Sequence, residues 1–247
     1  MLGRVALVTG AGSGIGLATA TLLARLGCDL IVNDIDLAGA KKVAGEVHAA
    51  GRRSYVAACD VSDVKAAERA IADAERALGR IDVLVNNAGV SSAKRKLEDI
   101  DEADFERMFD VHVKGAFFVT RAVVPGMKQR RYGRIVNVSS NWGVVGSDSL
   151  SHYCGAKAAL IGLTRAWARE LAPFGIYVNA MIPGTTITPM ITTRLTAEEI
   201  REQEQTALLG RWAQPEEIAR AIAFLASDDA SATTGQLLVA NCGQNLV

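Results

Sequence analysis

The stretch VALVTGAGSGIG (5–16) decides the fold, because it joins an apolar segment to a glycine-rich turn and the start of a helix. VALVT (5–9) has the length and the valine content of a strand buried on both faces. Glycines let such a turn approach a phosphate, and free N–H groups at the N-terminus of the next helix attract its charge. The stretch predicts a nucleotide-binding unit, although a tight strand–helix connection without a ligand has the same pattern.

The rest of the chain repeats this alternation of apolar runs and longer helical patterns. Strands are predicted at 29–33, 54–58, 81–86, 133–138, 176–182 and 236–240, and helices at 14–27, 37–50, 63–78, 102–129, 151–172 and 215–227. Strands separated by helices form parallel sheets, and right-handed crossovers favour the doubly wound arrangement. We therefore predict an α/β fold, a Rossmann-type doubly wound parallel sheet of seven strands with helices on both faces, in a single domain over residues 1–247.

Residues 185–214 depart from this alternation. Three threonines precede Pro189, and a short charged helical pattern covers 196–206. A connection of this length is unusual within a compact domain unless it has a function. We expect a lid or substrate loop between the sixth and seventh strands.

The composition excludes several classes of protein. Hydrophobic residues make up 49% of the 247 residues, which is typical of a folded chain. Lys and Arg together number 27, as do Asp and Glu, so the formal net charge is zero. No basic stripe favours nucleic acid or an anionic membrane, and no apolar run has the roughly eighteen residues of a membrane span. We expect neither a nucleic-acid nor a membrane partner.

The N-terminus and the cysteines predict the compartment. The chain begins without the features of a signal peptide. Cys28, Cys59, Cys154 and Cys242 are far apart and form no C-x-x-C pair. Such spacing favours reduced thiols over disulfides or zinc ligands. We therefore expect a cytoplasmic protein without a metal site.

The second predicted strand ends in an acidic residue. Asp34 follows Gly16 by eighteen residues, where a carboxylate binds the ribose hydroxyls of adenosine and repels a 2′-phosphate. No Arg or Lys lies in the glycine turn or directly after Asp34 to attract that phosphate. We predict NAD as the cofactor; alternatively, Asp34 caps the helix that begins near Leu37.

Four motifs resemble the signatures of the short-chain dehydrogenase/reductase family. TGAGSGIG (9–16) is similar to that family's T-G-x-x-x-G-x-G turn. NNAG (86–89), YCGAK (153–157) and PG (183–184) follow it in the family's order. The resemblance covers essentially the whole chain. It implies an oxidoreductase that transfers hydride between a nicotinamide cofactor and an alcohol or carbonyl group.

The chemistry of the third motif assigns catalytic roles. Tyr153 and Lys157 are four residues apart, so a helix presents them on one face. A phenol ordinarily titrates near ~10, and a nearby ammonium lowers the pKa of tyrosine, which suits a general base or acid at an alcohol oxygen. The resemblance identifies Ser140 as the serine that binds the substrate oxygen, with adjacent Ser139 as the alternative.

The resemblance also implies the residues that hold the cofactor. Lys157 is expected at the nicotinamide ribose, Asp60 and Val61 at the adenine, and the PG motif at the carboxamide. Three asparagines are expected to be structural, namely Asn86, Asn137 and Asn179. The predicted cofactor-binding set comprises Gly10, Ser13, Gly14, Ile15, Gly16, Asp34, Ile35, Asp60, Val61, Asn87, Ala88, Gly89, Tyr153, Lys157, Pro183, Gly184, Thr186 and Thr188.

His112 departs from the family pattern. DVHVKG (110–115) aligns with a segment that usually carries an asparagine of the catalytic tetrad, which positions a water in a proton relay through the lysine. A neutral imidazole has a donor and an acceptor for the same water, and an imidazole also exchanges protons near neutral pH. His112 is therefore a candidate catalytic residue, and a packed or capping histidine is the alternative.

The C-terminus departs from the pattern as well. ANCGQNLV (240–247) replaces the commoner D-G-G ending, with Cys242 at the first glycine. In tetrameric relatives this tail packs at a subunit interface. The resemblance implies a homotetramer, or else a dimer, formed through the helices at 102–129 and 151–172, and the changed tail leaves its contacts and the pocket shape open.

The substrate pocket is expected in loops at the carboxyl ends of the strands, at 90–96, 141–150 and 185–209. The basic run 94–96 either meets an anionic carrier or coenzyme A or remains solvated. The other candidate lining residues indicate two alternatives. An apolar wall would be formed by Trp142, Val144 and Met190. A polar set that suits a polyol would be formed by Ser91, Ser92, Asn141 and His152.

Together these features predict an NAD-dependent alcohol dehydrogenase or carbonyl reductase for a small or medium secondary alcohol, ketone or polyol. One alternative is an NADPH-dependent 3-oxoacyl-carrier-protein reductase, against which Asp34 counts. The other is a non-catalytic nucleotide-binding regulatory protein, which His112 suggests and which the intact Tyr153 and Lys157 oppose.

Overall fold

A computed structural model describes residues 1–91 and 93–246, and places seven parallel strands in one sheet. The strands lie in the order β3-β2-β1-β4-β5-β6-β7, which confirms the predicted doubly wound sheet. They are β1 (Val5–Thr9), β2 (Asp29–Asp34), β3 (Ser54–Ala58), β4 (Val83–Asn86), β5 (Gly133–Val138), β6 (Ile176–Pro183) and β7 (Leu237–Ala240).

The central strand β1 explains why the sheet is covered on both faces. Ala6 and Val8 face one hydrophobic core, whereas Val5 and Leu7 face the other. These four side chains are almost completely buried, because successive residues of a strand point to opposite sides. Helices must therefore pack on both faces of β1.

The helices supply those two layers. They are α1 (Gly14–Arg25), α2 (Leu37–Ala49), α3 (Val64–Leu78), α4 (Glu102–Phe109), α5 (Ala116–Arg130), α6 (Trp142–Val145), α7 (Ser151–Leu171), α8 (Pro189–Thr192), α9 (Ala197–Glu204) and α10 (Pro215–Ala226). Helices α1, α2 and α10 cover one face, and α3, α5 and α7 cover the other. None of the helices in the described residues is long and apolar enough to cross a membrane.

The prediction of one continuous helix over 102–129 is wrong. A π-helical turn, Asp110–Gly115, separates α4 from α5. Such wider turns interrupt α-helices mostly at functional sites. Here the turn contains His112, whose ring reaches the backbone of Val90 in the loop after β4. The hydrophobic periodicity continues across the turn, which is why the sequence pattern does not reveal it.

The segment 185–214 contains the short helices α8 and α9. Its beginning and end are tied together, because Ile187 N donates to Ala213 O over 2.9 Å. Thr196 and Glu199 form a capping box that starts α9, as the charged pattern predicts. The segment thus leaves the sheet after β6 and returns to it as a closed excursion beside the carboxyl ends of the strands.

Candidate active site

A cavity of about 370 Å³ opens at the carboxyl ends of the central strands. The chain runs from β1 to β2 on one side and to β4 on the other, so the strand order reverses there. Ligands of doubly wound sheets bind at such a reversal. Predicted residues that line the cavity are Gly10, Ser13, Gly14, Ile15, Asp34, Ile35, Asp60, Val61, Asn87, Ala88, Gly89, His112, Ser140, Tyr153, Lys157, Pro183, Gly184, Thr186 and Thr188.

Gly16 is the predicted cofactor residue that does not line the cavity. A Cβ at Gly16 would lie 2.0 Å from Gly10 O, so this position allows only a glycine. Its role is to let α1 pack closely against the turn. The family spacing predicts Gly16 as a cofactor contact, whereas the structure gives it a packing role.

The glycine turn is held against the end of β4. Gly10 has a φ of +63°, and a Cβ there would lie 2.8 Å from Ala88 Cα. Asn87 Nδ2 donates to Thr9 O over 2.9 Å and to Gly10 O over 3.1 Å. These contacts position the N-terminus of α1 at the cavity wall, where its free N–H groups favour an anion.

Asp34 closes the other side of this turn. Its Oδ2 accepts from Gly12 N over 2.7 Å, and its Oδ1 accepts from Asp36 N over 2.9 Å. The side chain that caps α2 is Asp36, which accepts from Ala38 N. The alternative interpretation of Asp34 as the helix cap is therefore wrong, and its carboxylate lies at the cavity edge.

The charges in the cavity wall are separated. Among the described lining residues, the basic side chains are Lys157 and Arg107, on α7 and α4, and neither belongs to the glycine turn or to β2. The carboxylate of Asp34 therefore faces the cavity from a part of the wall without a lysine or arginine. An anionic group beside Asp34 would be repelled.

Three side chains meet at the end of β5 and the start of α7. Ser140 follows β5, and its hydroxyl is hydrogen-bonded to the phenol of Tyr153. Lys157 Nζ donates to Val138 O over 2.9 Å and lies 5.7 Å from the centre of the Tyr153 ring. Ser139 Oγ instead donates to Lys157 O over 2.8 Å, away from the phenol. This geometry favours Ser140 over Ser139 as the serine beside a reacting oxygen.

The electrostatics of this group differ from the expectation for Tyr153. Burial raises the pKa of the Tyr153 phenol, although its hydrogen bond with Ser140 acts in the opposite direction. Burial also lowers the pKa of Lys157 to about 7. The predicted lowering of the tyrosine pKa by a lysine charge is therefore not what this structure contains. The physical reason is that both groups lose water at once.

His112 is buried at the back of the cavity. Its Nε2 lies 2.8 Å from Val90 O and 3.2 Å from Val90 N, and we assign the ring proton to Nε2 from the shorter contact. Nδ1 has no hydrogen-bond partner among the described residues. Burial, and then the charge of Lys157, hold the pKa of His112 well below its usual range. The ring is neutral near pH 7, which argues against the interpretation that it exchanges protons there.

The three asparagines predicted to be structural join elements of the core. Asn86 Nδ2 donates to Asn137 Oδ1 over 2.9 Å, across two neighbouring strands. Asn137 Nδ2 donates to Thr164 on α7, and Asn179 Nδ2 donates to Thr233 O. These bonds hold β4, β5 and α7 in register and so support the site without lining it.

The substrate end of the cavity is mainly apolar. Trp142, Met190 and Asn141 line it as predicted. His152 does not, because it is buried with its Nε2 3.3 Å from Asp104 Oδ2. Val144 of the predicted apolar wall and Ser91 of the predicted polar set are absent from the described cavity lining, and Ser92 lies outside the described residues.

Two side chains of the basic run 94–96 have local partners. Arg95 Nη1 lies 2.9 Å from Asp101 Oδ2, and Lys96 Nζ donates to Asp148 O over 3.0 Å. These partners favour a solvated surface run over a binding site for an anionic carrier.

Sequence patterns missed several residues of this site. Arg107, Val111 and Cys59 line the cavity. Val111 precedes His112 on the π-helical turn, so the family alignment at 110–115 offered a signal for it. Cys59 likewise precedes the predicted adenine contact Asp60, whereas Arg107 had no sequence signal, because only the folded chain brings it to the cavity.

Comparison with known proteins now identifies the family. A family model described as enoyl-(acyl carrier protein) reductase matches residues 10–245. The chain belongs to the short-chain dehydrogenase/reductase family. The motifs at 9–16, 86–89, 153–157 and 183–184 all lie at the cavity or its supports in this member of the family.

Individual relatives span nearly the whole chain. The chain is 40% identical over 237 residues to the 3-oxoacyl-[acyl-carrier-protein] reductase of Thermotoga maritima, covering 96% of this chain and 95% of that protein. It is 40% identical over 244 residues to the cis-4-hydroxycyclohexanecarboxylate dehydrogenase of Sinomonas cyclohexanicum, covering 99% and 97%. A solved 3-ketoacyl-(acyl-carrier-protein) reductase from Brucella melitensis, complexed with NADH, is 34% identical with a TM-score of 0.92, covering 99% of both chains.

The low pKa of Lys157 predicts how stability depends on pH in this dehydrogenase/reductase. The folded lysine releases its proton near pH 7, whereas an unfolded lysine keeps it to about 10.4. The unfolded chain thus binds more protons in that window, so stability rises with pH there. Between pH 7 and 9 we expect the wild type to gain on the order of 2 kcal/mol of unfolding free energy relative to Lys157→Met.

Urea unfolding of the cofactor-free protein at each pH measures this difference. Lys65→Met, which changes an exposed lysine on α3, is the control and should follow the wild type. The buried thiols also make stability depend on pH, because a raised pKa, such as that of Cys28, about 11, favours the folded state at lower pH. This contribution is the same in all the variants, so comparing them removes it. Parallel curves for wild type and Lys157→Met would contradict the lowered pKa.

The hydrogen bond of His112 predicts that asparagine can replace this histidine with little loss of activity. Asparagine retains an N–H for Val90 O, so His112→Asn should keep kcat within about fivefold, because a neutral hydrogen bond contributes about 1 kcal/mol. His112→Leu fills similar space but leaves that carbonyl without its donor, and should cost about 1–3 kcal/mol of unfolding free energy. The profile of kcat from pH 6 to 8 should have the same shape for the wild type and for His112→Asn, because the imidazole does not titrate in this range. An inflection that His112→Asn removes would mean that the imidazole titrates.

Proposed function

We propose that this protein is an NAD-dependent alcohol dehydrogenase or carbonyl reductase, which transfers hydride between NAD(H) and a secondary alcohol or ketone. The observation that carries the proposal is the meeting of Ser140, Tyr153 and Lys157 in one cavity whose opposite end holds Asp34. We propose further that residues 1–247 form a single dinucleotide-binding and catalytic domain, with 185–214 as its substrate loop.

The cavity fits a dinucleotide. The turn at Gly10 leaves no room for a side chain, and the start of α1 presents unpaired backbone N–H groups where a pyrophosphate is held in this kind of fold. Asp34 and Ile35 lie at the adenosine end, and Ile35 leaves 72% of its surface exposed for a base to cover. Asp60, Val61 and residues 87–89 line the wall between the two ends.

The nicotinamide end is formed by Pro183, Gly184, Thr186 and Thr188, with Lys157 opposite for the ribose. When bound, the nicotinamide supplies the hydride acceptor or donor. Lys157 is well placed for ribose hydroxyls, because Val138 O takes only one of the three donors of its ammonium. A bound dinucleotide would thus connect both charged ends of the cavity.

The chain's own residues handle the proton. Ser140 binds the substrate oxygen beside the phenol, and Tyr153 takes the proton of an alcohol or returns it to a carbonyl oxygen. Burial holds the Tyr153 proton in place, so Lys157 in its charged form must favour the phenolate during turnover. Because the pKa of Lys157 is about 7 in the buried site, contacts that favour its charged form also activate the tyrosine.

Asp34 supports NAD over NADP. Its carboxylate is fixed by two backbone N–H groups, so it is not free to turn away from a 2′-phosphate. The Brucella melitensis relative was solved with NADH. Both observations favour the non-phosphorylated cofactor.

The substrate class follows from the apolar end of the cavity. Trp142, Met190 and Ile191 suit a hydrocarbon ring or chain that carries the reacting oxygen. The relative from Sinomonas cyclohexanicum acts on a hydroxylated cyclohexane ring, which is a secondary alcohol. We therefore favour a small or medium secondary alcohol or ketone over a polyol, for which His152 is not available.

A 3-oxoacyl-carrier-protein reductase is the second candidate, favoured by the Thermotoga maritima relative. The local pairing of the basic run 94–96 and the position of Asp34 count against it. The meeting of Ser140, Tyr153 and Lys157 in one cavity counts against the regulatory alternative. A cytoplasmic homotetramer remains our proposal for the assembled enzyme.

Replacing the phenol tests the proposed chemistry. Tyr153→Phe removes the proton donor but keeps the ring, so kcat/KM for secondary alcohols with NAD+ should fall by about 10²–10⁴. NADH binding should be retained. The control is Tyr177→Phe on β6, whose ring packs under Arg134 outside the cavity. Turnover that survives Tyr153→Phe would overturn the assigned mechanism, and wild-type turnover only with a 3-oxoacyl carrier would favour the second candidate.

Removing one charge tests the cofactor choice. Asp34→Asn keeps an acceptor for Gly12 N but removes the repulsion of a 2′-phosphate, so the NAD+ to NADP+ ratio of kcat/KM should fall about tenfold, or 1.4 kcal/mol. Asp36→Asn makes the same charge change at the α2 cap, where asparagine serves equally well, and should leave the ratio unchanged. A wild-type preference for NADP+ would contradict the proposal directly.

A further inference from the structure

The C-terminal tail carries a network of side-chain amides that the proposed reaction does not use. Three of its members, Asn141, Asn241 and Gln244, come from two distant parts of the chain, and we call this set the amide clamp. Asn141 directly follows Ser140, whereas Asn241 and Gln244 follow β7. The clamp therefore joins the catalytic serine loop to the end of the chain.

Gln244 holds the segment after β6 by two bonds. Its Oε1 accepts from Thr185 N over 2.6 Å, and its Nε2 donates to Thr185 Oγ1 over 3.0 Å. A Cβ at Gly184 would meet this Oε1 and would lie 2.8 Å from Asn241 Cα, so the backbone of the tail requires a glycine here. Thr185 and its neighbours Gly184 and Thr186 line the nicotinamide end of the cavity.

Asn241 and Asn141 extend the clamp to the serine loop. Asn241 Nδ2 donates to Asn141 Oδ1 over 3.2 Å and to Asn245 O over 2.7 Å. Asn241 Oδ1 accepts from Gly243 N over 2.9 Å, which fixes the turn of the tail. Asn141 N donates to Pro183 O over 3.1 Å. Both asparagines are at least nine-tenths buried, so these bonds are shielded from water.

The same tail also holds the far end of segment 185–214. Leu209 N donates to Cys242 O over 3.1 Å. A Cβ at Gly243 would meet Leu208 Cβ at 2.6 Å, so the tail and the segment pack without a gap. Cys242 has a φ of +53°, a conformation that costs a non-glycine residue about 1 kcal/mol and persists when surrounding contacts hold it.

We propose that Gln244 is a positioning residue, which acts with Asn241 and Asn141 to hold Thr185 and the serine loop for the nicotinamide half of the cofactor. The inference rests on the proposed function, because it assumes that a nicotinamide dinucleotide occupies the cavity. Gln244 is absent from the described cavity lining, so its effect passes through Thr185.

Amide side chains suit this role because each supplies a donor and an acceptor without charge. Loss of Gln244 leaves Thr185 N without its partner, and an unpaired, partly buried N–H costs free energy that a shifted loop relieves. Such a shift would move Gly184 and Thr186, which lie on either side. The adenosine end, on β1 and β2, would remain in place.

The experiment compares two ligands that differ only by the nicotinamide. NADH and ADP-ribose share the adenosine, the pyrophosphate and the second ribose. For Gln244→Met, which keeps the length but removes both amide groups, the Kd for NADH should rise about tenfold, as expected for two lost neutral hydrogen bonds. The Kd for ADP-ribose should stay within about twofold. Calorimetric titration of the purified full-length protein measures both.

Two further variants make the result specific. Gln244→Glu keeps an acceptor for Thr185 N and replaces the donor by a second carboxylate oxygen with a negative charge. It should raise the Kd for NADH by at least about threefold, and it serves as the test if Gln244→Met does not fold. Asn245→Leu is the matched control, because Asn245 contributes its backbone carbonyl to the clamp. Its Kd values should equal those of the wild type. Light scattering checks that all variants keep the wild-type assembly.

The outcomes separate the two proposals. An unchanged Kd for NADH, or an equal rise for NADH and ADP-ribose, in both Gln244 variants would overturn the positioning role and leave the proposed function intact. Failure of the wild type to bind either ligand would overturn the proposed function and the positioning role together. A selective loss of NADH affinity in Gln244→Met with a normal Asn245→Leu supports the clamp.

Discussion

The parallel pairing of β1 with both β2 and β4 is the constraint on which the rest of this structure depends. Parallel strands end at the same edge, and the chain leaves β1 toward opposite sides, so a crevice must open above it. The glycine turn after β1 fills one wall of that crevice. Asn87 fixes the turn from the neighbouring strand by bonding Thr9 O and Gly10 O. The proposed contacts with the pyrophosphate and the adenosine follow from this junction.

The charges of the crevice are arranged along its length. Asp34 is held at one end by backbone N–H groups, and Lys157 is buried at the other end with its pKa lowered to about 7. Burial alone would leave the Tyr153 phenol protonated, so it can donate a proton but cannot accept one until the positive charge of Lys157 is stabilised. Burial therefore destabilises the charged forms of both Tyr153 and Lys157 in the folded protein, and such a cost in stability is common at functional sites.

Neutral hydrogen bonds hold the walls around these charged groups. His112 bonds Val90 O behind the cavity, and Gln244 bonds Thr185 in front of it. His112 departs from the family pattern, Gln244 lies in the C-terminal tail that departs from it at Cys242, and each acts through a backbone segment that lines the cavity. A neutral imidazole or amide can do this at any pH near neutrality, because it neither gains nor loses a proton there. In this chain, uncharged side chains thus hold the walls of the cavity.

The sequence by itself determined the strands, most helices and the glycine turn, because periodicity and local spacing report on neighbours along the chain. The family resemblance pointed to Ser140, Tyr153 and Lys157, which the structure brings to one cavity. Only the tertiary structure decided the π-helical turn at 110–115, the capping of α2 by Asp36 and the burial of His152 away from the cavity. It also decided the pKa directions of Tyr153 and Lys157 and the amide clamp. These features depend on desolvation and on contacts between residues far apart in the chain, and one sequence carries no record of either.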